Sequence, residues 1–418
     1  MRHSLIAATL VAFIPVALAA TPLTLQDAQQ RALERSLQLR AQDARASASR
    51  EMAQAAGQFP DPVLKIGVDN VPAEGADRFS LTRDFMTMRR VGVMQEWTRA
   101  EKRDLKRERY AREADRVHAE RQADVAAIRR ETAVAWLERF YTARMATLAV
   151  DFVRASEAEV AAADAAYRAG KGTQASVFAM RSAVAMAEDR RIEIERRARG
   201  ARIELARWTG VEAAEPTAQL PEMGTVHFEN VPIEAHLSGH PEIVALEKEA
   251  EVAESEARLA EAARHPDWTV EATYQVRGSA YTNMFSIGVS MPLPWDTGNR
   301  QDREAASKRA MVEGARARRD ELLRAHVAEV TVMLDEWHAG QERAGRFARD
   351  VIPAATQRTE ATVAAYGGGR SGLDEVMAAR RAEFEARLQA LQVELEVARL
   401  WAKLEFLLPD VAVMEATR

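Results

Sequence analysis

The sequence predicts a mainly α-helical chain with a small β part, built twice over. Three observations lead there. Residues 98–166 contain no proline, and Leu137, Tyr141, Leu148 and Phe152 recur at steps of 4, 7 and 4. A continuous helix of that length runs on the order of 100 Å at ~1.5 Å per residue. Short segments of strict period two stand between such helical runs. The order of elements in the first half then returns in the second.

The helices are narrow-striped. In residues 300–352, Leu323, Val327, Val330, Leu334 and Trp337 step by 4, 3, 4 and 3, which is a heptad seam. Ile243, Leu246, Ala250, Ala253, Ala257 and Ala260 follow the same rhythm with small residues, so that helix packs closely. Phe384, Leu388, Leu391 and Leu395 mark a further one. Long helices with a thin apolar stripe belong to antiparallel coiled-coil or tubular packing rather than to a globule.

The β part is four strands. Val270, Ala272, Tyr274 and Val276 alternate with Thr269, Glu271, Thr273 and Gln275; in Phe285–Leu293 the apolar residues fall on odd positions. Val63–Asp69 and Val91–Trp97 are less regular, because Val63 and Met94 interrupt the alternation. Each strand has one apolar and one polar face.

The halves align. Phe59-Pro60-Asp61-Pro62 parallels His265-Pro266-Asp267-Trp268, and Tyr167-Arg168-Ala169-Gly170-Lys171 parallels Tyr366-Gly367-Gly368-Gly369-Arg370. Val177, Ala179 and Arg181 match Val376, Ala378 and Arg380 at an offset of 199. The expected organisation is a signal peptide at 1–19, a first repeat at 20–210, a proline-punctuated linker at 211–233, a second repeat at 234–408 and a tail at 409–418. The signal peptide follows from Arg2 and His3, an apolar run from Leu5 to Val16, and Ala17-Leu18-Ala19 with cleavage after Ala19. About 14 apolar residues are too few to span ~30 Å of hydrocarbon.

Composition excludes several function classes. There is no cysteine, hence no thiol catalysis, Cys-ligated zinc, disulfide framework or lipid-bearing cysteine. With 58 Lys and Arg against 63 Asp and Glu, the net charge of -5 offers no nucleic-acid footprint. No Gly-rich phosphate loop, Gly-x-Ser-x-Gly or His-Glu-x-x-His is present, so no enzyme is expected and no cofactor.

Four strands cannot close a barrel, and open edges are a liability. Several chains pooling four strands each would close one, with the apolar faces turned to lipid. Phe85, Trp97, Trp268, Tyr281, Phe285 and Trp295 lie near strand ends, where interfacial girdles form. The alternative is a soluble periplasmic coiled-coil scaffold or adaptor with two small hairpins.

The repeated plan, Tyr-x-x-Gly-[Lys/Arg] at both helical turns, and Met291-Pro292-Leu293-Pro294-Trp295-Asp296-Thr297-Gly298-Asn299-Arg300 running into a helix resemble the TolC family of outer-membrane efflux proteins. Within it, Phe59-Pro60-Asp61-Pro62, Gly67-Val68-Asp69-Asn70-x-Pro72 and Met86-Thr87-Met88-Arg89-Arg90 resemble the heavy-metal, CzcC/CusC-like branch. The resemblance implies a homotrimer with a shared outer-membrane β-barrel and a periplasmic α-barrel. It also implies a periplasmic adaptor, an inner-membrane pump of the resistance–nodulation–division type, and heavy-metal cations as cargo.

Under that resemblance, Tyr167, Gly170, Gly172, Tyr366, Gly369 and Gly372 mark helical tips that meet the adaptor. Asp374 and Glu375, with Lys171 and Arg370 beside the turns, fall at the pore entrance. An acidic ring in a trimer favours cations, although an acid in a first helical turn also complements the helix dipole. Met86, Met88 and Met94 offer thioether sulfur, but Met is also flexible packing material, and no metal site is expected of them. His236 and His240 are four apart, yet Gly239 and Pro241 break the helix that would align them and no third ligand is visible.

Overall fold

The computed structural model describes residues 22–212, 215–217, 219–227 and 232–407. The expected signal peptide and C-terminal tail lie outside them, as does part of the expected linker. In chain order the elements are β1 (Pro22–Leu23), α1 (Leu25–Arg35), α2 (Leu37–Ala56), β2 (Val63–Asp69), β3 (Met88–Trp97), α3 (Ala100–Arg168) and α4 (Gln174–Thr209). There follow β4 (Glu215–Pro216), α5 (Ile233–Leu237), α6 (Pro241–Ala262), β5 (Trp268–Val276), β6 (Met284–Ser290), α7 (Gln301–Arg346), a π-helical turn (Phe347–Val351), α8 (Ile352–Gly367) and α9 (Leu373–Glu405). Helix, two strands, long helix, turn and helix occur twice, as expected from the sequence.

The expected helix at 98–166 is α3, 69 residues long. That expected at 300–352 is α7, and the π turn at its end has a covalent reason. Pro353 has no N–H to give the helical ladder, and just before it the Ile352 N–H donates to Phe347 O, one residue further back than in an α-helix.

The chain divides into two compact units. One takes its described residues from 22–35, 128–227 and 333–406. Trp136, Leu137, Leu205, Trp337, Leu388 and Leu404 are fully enclosed in it. Trp136 Nε1 donates to Leu23 O at 2.8 Å, beneath the parallel bridge between β1 and β4. Phe152 stacks on Phe384 at 4.3 Å.

The other unit takes 36–127, 232–332 and Leu407, and holds all four long strands with α2, α5, α6 and the first parts of α3 and α7. Its helices meet through small residues, Ala114, Ala257, Ala305 and Ala315 being buried. Ion pairs then stitch their flanks. Glu256 takes Arg109 at 3.1 Å and Lys308 at 2.8 Å, and Asp267 takes Lys102 at 2.8 Å.

Candidate channel wall and helical tips

The four long strands form one antiparallel sheet in the order β2-β3-β5-β6, with β2 and β6 at open edges. Its register sorts the residues into rows. One face carries Leu64–Val93–Ala272–Ile287 and Ile66–Val91–Tyr274–Phe285. The other carries Lys65–Gly92–Thr273–Ser286 and Gly67–Arg90–Gln275–Met284. Val63 and Met94, which interrupt the alternation in sequence, are direct cross-strand partners on the polar face.

Exposure on this sheet is inverted relative to a water-soluble protein. Ile66 is 74% and Ile287 68% exposed, whereas Thr273 is 5% exposed. Lys65 Nζ reaches Glu271 Oε2 at 2.7 Å across β3, and Arg90 pairs with Asp69 at 3.5 Å. Thr273 Oγ1 donates to the other Glu271 oxygen at 3.3 Å. The polar face is thus internally bonded, and among the described residues nothing covers the apolar face. Trp97 and Trp268 are paired at one end of the sheet, and Tyr274 and Phe285 are paired toward the other. Among the described residues no helix is long and apolar enough to cross a membrane.

The methionines do not gather. Met88 and Met94 are on one strand six residues apart, about 20 Å at the usual rise, and Met86 lies in the preceding loop, exposed.

The two helical turns are near-copies. Gly170 has φ +69° and Gly369 φ +70°, a left-handed geometry that glycine takes without steric cost. Lys171 N donates to Ala166 O and Arg370 N to Ala365 O, both at 2.9 Å. Each bond closes a helix end in the same six-to-one manner. Tyr167 and Tyr366 start the turns, their carbonyls accepting from Gly170 and Gly369. Behind them Ala163, Val177, Met180 and Met377 form a small core with Leu373 against it.

Asp374 and Glu375 stand in the first turn of α9, exposed, after the extended Gly372. Ser371 Oγ donates to Glu375 Oε2 at 2.7 Å, so that acid is held by its own helix start. Gly172 precedes Thr173, whose Oγ1 caps α4 by accepting from Ser176 N at 3.1 Å. Lys171 and Arg370 are exposed and, among the described residues, make no ion pair with Asp374 or Glu375. Of the two histidines noted in sequence, His236 lies in α5 and His240 caps α6, so they do not share a helix face.

One buried pair escaped sequence reasoning. Glu159 on α3 is 5% exposed and lies 2.6 Å from Arg380 Nε on α9. Burial pushes its carboxyl up from 4.5 to about 7, with Arg380 pulling the other way. The folded chain therefore holds this proton more tightly than the unfolded one. The resulting stabilisation is full below about 4.5 and is lost as pH rises through about 7, at up to about 1.4 kcal/mol per pH unit. Glu159→Gln should flatten the thermal-unfolding midpoint across that window. Arg380→Ala should cost little at pH 5. At pH 8 the loss is capped at about 1.4 kcal/mol, because the carboxyl then keeps its proton. A midpoint that still falls steeply with pH in the Glu159→Gln variant would remove Glu159 as the source.

Residues 233–409 match the family described as outer membrane efflux protein. No curated protein matches the sequence. Among solved structures, a membrane protein from Pseudomonas aeruginosa is similar at TM-score 0.77 and 14% identity, with 92% of each chain covered. CusC is similar at TM-score 0.75 and 13% identity over 91% of each chain. The MtrE outer membrane channel of Neisseria gonorrhoeae, in its open state, is similar at TM-score 0.75 and 17% identity, over 92% of this chain and 88% of that one. Residues 233–409 are thus similar in sequence to outer membrane efflux proteins, and over nearly its whole length the chain shares the fold of these solved membrane proteins.

Proposed function

We propose that this protein is the outer-membrane conduit of a tripartite efflux system, a passive channel with no chemistry of its own. The observation that carries this is the sheet: an exposed apolar face, an ionic opposite face and two unpaired edges. In water such a sheet exposes a broad apolar patch and a template for pairing. Three chains pooling twelve strands remove both problems, since closure abolishes the edges and lipid covers the apolar face. The helices extend into the periplasm. There the turns at Tyr167–Gly172 and Tyr366–Gly372 meet an adaptor linked to an inner-membrane pump of the resistance–nodulation–division type, which supplies the energy.

Metal cations are the proposed cargo. This rests on the likeness of Phe59–Pro62, Gly67–Pro72 and Met86–Arg90 to the heavy-metal branch. Asp374 and Glu375 would present a ring of six acids in the trimer, favouring cations at the entrance.

Detergent-purified protein should run as a trimer that dissociates on heating, and should conduct in planar bilayers. A monomer recovered in the osmotic-shock fluid would end the conduit reading. Asp374→Asn should lower cation over anion selectivity without changing trimer yield, because the side chain is exposed and the helix start keeps its Ser371–Glu375 bond. An unaltered reversal potential under a salt gradient would remove Asp374 from the entrance.

A further inference from the structure

In the strand-bearing unit, the geometry points to a divalent transition-metal site of the zinc type formed by His240, Glu242 and His326. A ligand atom from each residue lies within 4.8 Å of the others. Glu242 Oε2 and His326 Nε2 are 3.3 Å apart. That is about the edge of a tetrahedron with bonds of ~2.0–2.1 Å, the usual lengths for Zn²⁺ with imidazole nitrogen and carboxylate oxygen. The rings of His240 and His326 face each other with centroids at 4.8 Å. A modest closing of the three side chains would complete the set. Two imidazoles and a carboxylate suit Zn²⁺, Co²⁺ or Ni²⁺; Cu(I) wants sulfur, and Mg²⁺ and Ca²⁺ want oxygen. Three protein ligands leave a position open for water or for a ligand in transit.

Internal duplication supplies a comparison. At the start of the matching helix in the first repeat, Ser36 is the cap and Gln38 the second helical residue, as His240 and Glu242 are for α6. Gln38 Nε2 donates to Asp124 at 2.7 Å, and Asp124 lies about as far into α3 as His326 lies into α7. The first repeat thus closes this junction with an amide–carboxylate hydrogen bond. In the second, all three members are side chains able to ligate a metal. Position alone requires none of these substitutions, because Ser, Gln and Asp already satisfy the same junction.

Access and burial are divided between the ligands. His240 is buried and caps α6, its Nδ1 accepting from Glu242 N at a long 3.3 Å, a weak bond that ligation through either ring nitrogen would replace. Glu242 also lines a cavity of about 400 Å³ with Glu120, Asp124 and Glu249, an acid-rich approach for a cation. A helix N-terminus disfavours a cation, which the Glu242 carboxylate at the same terminus opposes. A bound ion would tie the start of α6 to α7.

The test uses full-length protein in detergent, stripped with a chelator and titrated with Zn²⁺ against a chromogenic competitor. Saturable uptake of one Zn²⁺ per chain is expected, and Co²⁺ should give the intense visible bands of low coordination. His240→Gln, Glu242→Gln and His326→Gln should each weaken Zn²⁺ at least tenfold, while His118→Gln should not. Zn²⁺ should raise the unfolding midpoint of the parent and leave that of His326→Gln unmoved. Should single variants fold poorly, the triple replacement H240S/E242Q/H326D installs the first repeat's solution and should fold without binding. No saturable uptake, or uptake indifferent to the triple replacement, would overturn the site.

Discussion

Ile287→Arg should abolish accumulation of the proposed membrane-inserted trimer, whereas Ser286→Arg, one residue away, should assemble normally and change ion flow. The two positions lie in adjacent rows of one strand on opposite faces. Ile287 is in line with Leu64, Val93 and Ala272, and Ser286 with Lys65, Gly92 and Thr273. A guanidinium on the lipid face of a barrel near the midplane costs about 2–4 kcal/mol. In the proposed trimer that cost recurs in each chain, so the assembly loses roughly 6–12 kcal/mol, comparable to the whole stability of an ordinary domain. On the polar face the same guanidinium stays hydrated and joins a surface already carrying Lys65, Glu271, Arg90 and Asp69. Heat-modifiable mobility of membrane fractions reads assembly, and single-channel conductance and selectivity read the Ser286 variant. Normal assembly of the Ile287 variant with failure of the Ser286 variant would mean that the faces are assigned the wrong way round.

Those faces are largely legible in the sequence, and the places where they are not are informative. A strand's period of two reports which side each residue takes, but not which residue it meets. Val63 and Met94 therefore read as two separate irregularities, though the register makes them a single apolar contact within a polar row. The turns are legible because a left-handed residue demands glycine, and the demand leaves Gly170 and Gly369 at matching offsets. Glu159 and Arg380 leave no such trace. An acid and a base on long charged helices are commonplace in sequence, and only packing brings residues so far apart in the chain within 2.6 Å. His326 is missed for the same reason. The spacing of His236 and His240 draws attention to a pair that the α5–α6 break separates, while the true neighbour of His240 comes from α7.

Gly92→Val should destabilise the sheet by about 1–3 kcal/mol per chain, the usual range for overpacking, and Thr273→Ala should recover part of the loss. Gly92 sits at the middle of β3 on the polar face, between Lys65 on β2 and Thr273 on β5. A Cβ there would stand 2.8 Å from Thr273 Oγ1 and 3.0 Å from Ala272 O, closer than real Cβ atoms tolerate without a shift of the neighbour. The hydroxyl can be removed, and that is the recoverable share. The Ala272 carbonyl is strand backbone on the β3 side of β5, where Ala272 pairs with Val93, and cannot yield without parting these two strands. The branched side chain would also crowd the Lys65–Glu271 pair, which crosses β3 on the same face as this glycine, Lys65 being its cross-strand partner. Losing that contact leaves a half-enclosed carboxylate whose remaining side-chain donor is the Thr273 hydroxyl. The double variant therefore separates the two costs: rescue of thermal stability reports the steric share, and what stays lost reports the carbonyl clash and the broken ion pair. Additive losses, with no rescue by Thr273→Ala, would show that the hydroxyl had moved aside freely and that the backbone contact alone forbids a side chain at this position.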